Sequence, residues 1–330
     1  MKQPGVGIVG CGLIGRKRAD ALGDARLVAC ADIEIDRARS LASRTSAAAA
    51  SDWRDVVRRD DVDVVIVSTI SSLLAEVSAA ALSAGKHVLV EKPAGRNVAE
   101  LDSVIAAQKR SGKLAHVGFN HRYHPALLKA KELFDQGALG EMMFVRGRYG
   151  HGGRIGYDKE WRADPKLAGG GELIDQGVHL IDLARMFLGD FETVDGFATT
   201  YYWDMPVDDN AFLLLRTRDA KTASLHVSCT EWKNLFSLEI YGRNAKLHVE
   251  GLGGSYGLER LAFYRMLPEM GPPETTIWEF PRPDESWRIE TAEFLDDIRK
   301  NRKPSATLED ARAALSVVKK IYDRSGYESR

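Results

Sequence analysis

The sequence predicts two architectures in one chain: an α/β domain with a parallel sheet wound by helices, then an α+β domain with a largely antiparallel open sheet. Three observations carry this expectation. Over residues 5–120 short apolar runs alternate with helical patterns, the grammar of a parallel sheet. The first apolar run ends in a glycine-rich turn that opens a helix. From about His121 onward, strand-like stretches follow one another without intervening helices, which argues for antiparallel pairing.

In the first domain, strands are expected at residues 6–9, 27–31, 64–68, 87–90 and 114–118, with a short edge strand at 47–50. Helical patterns fall at 14–22, 36–44, 73–84 and 98–110, with a shorter one over 52–58. The first turn reads Gly10-Cys11-Gly12-Leu13-Ile14-Gly15. In that arrangement Gly10 makes the turn, Gly12 lets a pyrophosphate approach the backbone, and Gly15 permits close helix packing. Backbone N–H groups at the helix start hold the phosphate. Asp32 ends the next strand about 20 residues on, where a carboxylate accepts from ribose hydroxyls and repels a 2′-phosphate. Glu34 adds negative charge beside it. NAD is therefore the expected cofactor, and NADP is disfavoured. A second glycine cluster, Gly251, Gly253, Gly254 and Gly257, follows a strand-like run at 246–249 but lacks a surrounding βαβ unit and reads as a loop.

The strand at 87–90 runs into Glu91-Lys92-Pro93. Ligands of open α/β sheets bind beyond the carboxyl ends of the strands, which is where Lys92 falls. A residue before proline is steered toward extended geometry, so Lys92 is expected to stay at the strand end.

The boundary is placed between a dinucleotide-binding domain at 1–121 and a substrate-binding domain at 122–330. In the second, a helix at 125–136 precedes strands at 142–149, 194–202, 211–217, 223–230 and 236–241, with a helix at 175–188 packed on the sheet. Closing helices at 287–300 and 308–323 flank Pro304, the last placed to pack back on the first domain. The irregular stretch 151–167 holds Arg154, Tyr157, Asp158, Lys159, Trp161 and Arg162. These groups hydrogen-bond sugar hydroxyls, carboxylates or phosphates, and a Trp face stacks on a sugar ring. Arg122 and Trp232, with Lys233, join them as substrate candidates; Arg122, Arg154 and Arg162 would suit an anionic group.

Composition narrows the function. A formal net charge of −1 over 330 residues supplies no basic excess for nucleic acid or an anionic membrane. No segment approaches the ~20 apolar residues of a membrane span. Met1 leads directly into the first strand with no signal-like stretch, and a reducing cytoplasm is the expectation. Cys11, Cys30 and Cys229 form neither a disulfide framework nor a metal-binding spacing.

The stretch Gly169-Gly170-Gly171-Glu172-Leu173-Ile174-Asp175-Gln176-Gly177-Val178-His179 turns tightly and then becomes helical. Asp175 and His179, four apart, share a helix face and form a plausible acid/base pair. They look like half a zinc site, but no third ligand is spaced to complete one, so no metal is expected.

Together these pieces resemble the Gfo/Idh/MocA family of NAD(P)-dependent oxidoreductases, which includes inositol dehydrogenases and glucose–fructose oxidoreductase. The residues that carry the resemblance are the turn at 10–15, the run from Ala84 to Glu91-Lys92-Pro93, Gly118-Phe119-Asn120-His121-Arg122-Tyr123, Trp161-Arg162 and the stretch with Asp175 and His179. The resemblance implies a catalytic set of Lys92, Asp175 and His179. The expected cofactor contacts are Gly10, Gly12, Leu13, Ile14, Gly15, Asp32, Ser68, Thr69, Glu91, Lys92 and Asn120. It also implies subunit contacts through the open sheet face, hence a homodimer or homotetramer. One departure stands out: where the family shows Thr-Pro and then histidine, this chain reads Thr69-Ile70-Ser71-Ser72, which alters the nicotinamide-side contacts.

The expected chemistry is hydride transfer between nicotinamide and a secondary alcohol or ketone of a cyclitol, sugar or nucleotide sugar. A base within ~3 Å of the hydroxyl takes its proton. Imidazole, with a reference pKa of ~6.5, suits that task at His179. Lys92 stabilises developing alkoxide charge, and Asp175 orients the substrate or His179; the roles of Lys92 and His179 are interchangeable at this stage. The alternatives are an NAD-using lyase, glycosidase or isomerase with transient oxidation, and a non-catalytic dinucleotide- or sugar-binding regulator.

Overall fold

A computed structural model describes residues 3–269 and 271–327. The chain forms two compact units, and it crosses between them three times. One unit comprises the chain through Phe119 together with Trp287–Arg312; the other comprises Asn120–Ser286 and the chain from Ala313. The sequence places 122–330 in the second domain with its last helix packing back on the first; the segment that joins the first unit is 287–312, and the chain from Ala313 stays with the second.

The first unit opens with β1 (Gly5–Val9), α1 (Leu13–Asp20), β2 (Arg26–Ala31), α2 (Ile35–Ala42), β3 (Ala48–Ala50) and α3 (Trp53–Val57). It continues with β4 (Val64–Val67), α4 (Ser71–Ser83), β5 (His87–Glu91), α5 (Val98–Ser111) and β6 (Ala115–Gly118). The strands form one parallel sheet in the order β3-β2-β1-β4-β5-β6. Strand order reverses between β1 and β4, the place where sheets of this kind bind ligands beyond their carboxyl ends. Both β1 and β4 are buried throughout, as parallel strands covered on two faces must be. The returning segment completes this core: Phe294 and Leu295 pack with Ile8, Cys30, Leu41 and Leu89. Val117 N–H donates to the Ala306 carbonyl at 3.0 Å, fixing the same segment along β6.

The second unit carries α6 (Pro125–Asp135), β7 (Met142–Gly150), α7 (Pro165–Ala168) and α8 (Val178–Leu188). Then come β8 (Phe191–Thr199), β9 (Asn210–Thr217), β10 (Thr222–Ser228), β11 (Leu235–Gly242), β12 (Ala245–Glu250), β13 (Glu259–Arg265) and β14 (Glu274–Phe280). Helix α9 (Ser286–Lys300) belongs almost wholly to the first unit, and α10 (Leu308–Ser325) runs from one unit into the other. The sheet order is β14-β13-β12-β11-β7-β10-β9-β8, and only the β7–β10 pair is parallel. Strands β13 and β14 were not expected. β14 is an edge strand with mostly exposed side chains, so it shows no apolar run to read. Helix α8 packs on β7, where a side chain at Gly147 would press on Leu180 and Leu225. The other face presents Arg146, Phe197, Leu214, Glu239 and Ile277, of which Phe197, Leu214 and Ile277 are about half exposed.

The second glycine cluster is a loop closed by a single bridge between Gly254 and Gly257. The three cysteines are free and buried. Among the described residues no helix is long and apolar enough to cross a membrane.

Candidate functional site

In the first unit, Gly10 adopts φ +93°, and a Cβ there would sit 2.4 Å from the Ser68 carbonyl oxygen. Only glycine fits that combination. A Cβ on Gly15 would lie 1.9 Å from the Gly10 carbonyl oxygen, so the helix start can close on the turn only without a side chain. Gly12 is different: nothing lies within 4 Å of its missing Cβ. Helix packing therefore does not explain the absence of a side chain there, whereas backbone access for a ligand does. No side chain caps the first turn of α1, which leaves its N-terminal face to a phosphate. These residues fit a pyrophosphate, and Leu13, 64% exposed, flanks the cradle with Ile14.

Asp32 is anchored against this turn. Its Oδ2 accepts from Cys11 N–H at 2.8 Å and its Oδ1 from Glu34 N–H at 2.9 Å. A carboxylate offers about four acceptor positions, so two remain for ribose hydroxyls. Arg37 approaches to 4.0 Å from an exposed position, too far and too solvated to neutralise the carboxylate. Ser68 Oγ donates to the Gly10 carbonyl at 2.8 Å and so stitches β4 to the turn at the point where strand order reverses. Thr69 Oγ1 donates to the Ile70 carbonyl at 3.1 Å, just ahead of α4.

Glu91 and Lys92 part company. The Glu91 carboxylate is buried and receives Arg18 Nε at 2.7 Å, so it is engaged inside the unit. Burial pushes its pKa up while the Arg18 charge opposes that shift. Lys92 follows the last residue of β5, and its peptide bond to Pro93 is cis.

In the second unit, the expected helix around Asp175 begins as a π turn, Leu173–Gly177, which passes into α8 at Val178. π turns are rare and gather at functional sites. Its wider ring changes the angular step between Asp175 and His179 from that of a plain α-helix, though the two still stand about one turn apart. Asp208, fully buried, holds this entry: it accepts from Gly171 N–H at 2.9 Å, Leu173 N–H at 2.7 Å and Tyr322 O–H at 2.6 Å. Burial outweighs these donors and pushes the Asp208 carboxyl up to about 6.

His179 is 3% exposed, and its ring meets His121 edge-to-face at 3.7 Å between centroids. Tyr149 stands against His121 at 5.1 Å, and burial raises the Tyr149 hydroxyl well above its usual value. Asp175 Oδ2 accepts from Arg162 Nε at 3.1 Å. Arg162 also reaches Glu160, and its guanidinium lies 4.6 Å from the Trp161 ring centroid. Glu172, buried beside the π turn, lies 3.4 Å from Tyr157 Oη and 3.5 Å from His151 Nε2. Burial opposes the charged form of His151, but Glu172 outweighs it and the pKa is raised.

The arginines nominated for an anionic ligand are all ion-paired. Arg122 donates to Asp182 through Nε at 2.7 Å and again through Nη2, tying the turn after β6 to α8. Arg154 donates to Glu160 at 2.7 Å. Asn120 is buried and donates to Ser286 Oγ at 3.0 Å. Trp232 is 68% exposed, holds φ +57° and meets Tyr202 edge-to-face at 4.7 Å.

Reading the sequence missed His121, Glu172, Asp208 and the Arg18 partner of Glu91. His121 lay inside a quoted motif, and the Asp208-Asp209-Asn210 run ahead of β9 was a visible polar cluster. Nothing local marked Arg18 as buried. Among the described residues no group of three or more His, Cys, Asp or Glu could hold a metal ion.

Comparison with known proteins gives two domain matches: the oxidoreductase family with an NAD-binding Rossmann fold over residues 5–119, and the GFO/IDH/MocA C-terminal domain over 127–248. Levoglucosan dehydrogenase of Pseudarthrobacter phenanthrenivorans is 31% identical over 232 residues, 63% of this chain and 57% of that protein. Several inositol 2-dehydrogenases match over similar shares, so the chain aligns with little more than half the length of these relatives. The dTDP-3,4-didehydro-2,6-dideoxy-alpha-D-glucose 3-reductase of Actinomadura kijaniata is 32% identical over 67% of each chain. Among solved structures, an oxidoreductase domain protein from Kribbella flavida superposes with a TM-score of 0.89 at 26% identity, covering 99% of this chain and 98% of that one. Levoglucosan dehydrogenase in complex with NADH and levoglucosan gives 0.88 at 24%, covering 98% of each, a likeness that carries the fold.

Proposed function

This chain belongs to the Gfo/Idh/MocA oxidoreductase family, and from that premise we propose that it is an NAD-dependent dehydrogenase or reductase acting on a neutral polyhydroxylated ring. The observation that carries the reading is the open approach to Gly12 between two glycines locked by packing, beside an Asp32 already oriented by two backbone donors. NAD, when bound, supplies the hydride acceptor or donor. The chain's own residues handle the proton and the oxygen. Lys92 donates to the reacting oxygen and stabilises its developing charge. His179 carries the proton at an imidazole nitrogen, its ring held in place by His121. Asp175, held by Arg162, orients a substrate hydroxyl.

The pairing of Arg122, Arg154 and Arg162 with Asp182, Glu160 and Asp175 supports a free sugar or cyclitol over a nucleotide-linked or carboxylated one. An anionic group would have to displace a carboxylate already in place, at the cost of leaving it buried or unpaired. The relatives include enzymes named for levoglucosan, inositol and a dTDP-sugar, so a panel spanning them is decisive. With levoglucosan, inositols, free aldoses and UDP- or dTDP-sugars, 340 nm absorbance should rise with NAD and a neutral polyol, at least about tenfold faster than with NADP. A rate with NADP equal to that with NAD would refute the role given to Asp32. No reduction of NAD with any member would refute the net dehydrogenase reading, and product without NADH would favour transient oxidation.

The uncovered face of the eight-stranded sheet, with Phe197, Leu214 and Ile277 about half exposed, supports a homodimer or homotetramer built through it. Light scattering at micromolar concentration should give two or four times the 36.5 kDa chain mass; a monomer mass would overturn this assignment.

A further inference from the structure

One charged cluster in the first unit serves none of the roles above. Arg18, His116 and Glu290 are fully buried and Glu91 is 7% exposed. Arg18 donates Nε to Glu91 at 2.7 Å and Nη1 to Glu290 at 2.5 Å, and His116 Nε2 lies 3.2 Å from the other Glu290 oxygen. The Trp287 ring lies over the guanidinium at 4.5 Å. Gly118 makes room for the cluster, since a Cβ there would fall 2.6 Å from Arg18 Nη2 and 3.1 Å from Glu91 Oε2. Four elements therefore converge on one guanidinium: α1, which starts at the cofactor turn; β5, which ends at Glu91; β6; and α9.

A buried ion cluster is weak evidence for stability, because well-packed apolar residues of the same volume generally do as well. What a guanidinium adds is a rigid fork that fixes the direction of two carboxylates at once. One of those carboxylates precedes Lys92 directly in the chain, and its ionisation already senses the Lys92 charge. We propose that Arg18, bridging Glu91 and Glu290, is a positioning residue that fixes the Lys92 backbone relative to the cofactor turn. This rests on the role given to Lys92 above.

The test uses the full chain and three variants: Arg18→Lys, Glu290→Gln, and the triple Arg18→Met, Glu91→Gln, Glu290→Leu, which removes all three charges. Turnover is read with the polyol giving the fastest NADH formation in the panel, NAD affinity by titration, and folding by melting temperature. A substrate-independent readout is the 13C resonance of Lys92 after reductive methylation with labelled formaldehyde, assigned by its absence in Lys92→Ala. The expected result is a kcat lower by about tenfold to 10²-fold in folded variants, the scale of a small misplacement. The KM for NAD stays within about threefold, and the Lys92 resonance shifts. A folded triple variant with wild-type kcat and an unmoved resonance overturns the proposal. So does kcat that follows the folded fraction and returns on cooling. If the triple variant does not fold, Glu290→Gln decides: it keeps the Arg18–Glu91 contact, and wild-type kcat there overturns the proposal. Wild-type turnover in Lys92→Ala would instead remove the catalytic role of Lys92 itself.

Discussion

Turnover by Lys92→Ala and His179→Ala is expected to fall by about 10²-fold or more, with NAD still bound. The two losses have different origins. On the proposed roles, Lys92→Ala takes a cation from the reacting oxygen, and a single preorganised donor of this kind is worth about 10²–10³ in rate. On the same proposal, His179→Ala takes away the proton carrier, with a typical cost of about 10²–10⁴. His179 belongs neither to the glycine turn nor to the Asp32 anchor, so NAD affinity should stay within about threefold in its variant; Lys92 is also an expected cofactor contact, so its alanine variant is compared at saturating NAD. His179 is 3% exposed against His121, so its alanine variant also leaves a void, and a melting curve must accompany the rates. His179→Asn, which fills more of the space without cycling a proton near neutrality, should be equally slow. Wild-type rates in both alanine variants would end the assignment of these residues.

Asp208→Ala is expected to destabilise the protein by about 3 kcal/mol, because it strands the Leu173 N–H and the Tyr322 O–H, and each unmet buried donor costs about 1–3 kcal/mol. At about 2–4 °C per kcal/mol for a domain of this size, the melting temperature should drop by roughly 6–12 °C. The pH dependence has a defined sign. The folded-state pKa of about 6 lies above the unfolded carboxyl value, so the stability tied to this proton is full below about pH 4 and is lost as pH rises through 6. The deficit of the alanine variant should therefore be widest near pH 4 and narrow toward pH 7. A shift under 2 °C, or a deficit that widens with rising pH, would contradict this account. Because the same carboxylate holds the π turn that carries Asp175, turnover should fall along with stability.

Particular residues show what the sequence could and could not disclose. The parallel sheet was legible because its strands are short buried runs, and β1 and β4 fall within a residue of their expected limits. The glycine turn was legible because each glycine answers a separate steric demand, which the packing around Gly10 and Gly15 bears out. The π turn was not, since it spans only five residues, Leu173–Gly177, too few for apolar spacing to tell a wider ring from a plain helix. Arg18 sits in a short helix among Arg16 and Lys17, where an exposed basic face is the ordinary reading. Its partner Glu290 is 272 residues away, beyond any local pattern. The arginines of the substrate stretch looked like anion receptors because their carboxylate partners, six to sixty residues distant, carry no pairing signal.

The return of residues 287–312 to the first unit has a consequence for synthesis. At about 5–20 residues per second, a ribosome that has completed β6 needs roughly 10–40 seconds more to deliver that segment. Until then the nascent nucleotide-binding unit lacks Phe294 and Leu295 from its core, and Arg18 faces Glu91 without Glu290. The unit therefore waits, incomplete and partly greasy, while the whole eight-stranded sheet is made. Chaperone capture should concentrate in that interval, and ribosome-bound chains truncated before residue 287 should be more protease-sensitive over residues 3–119 than the released protein.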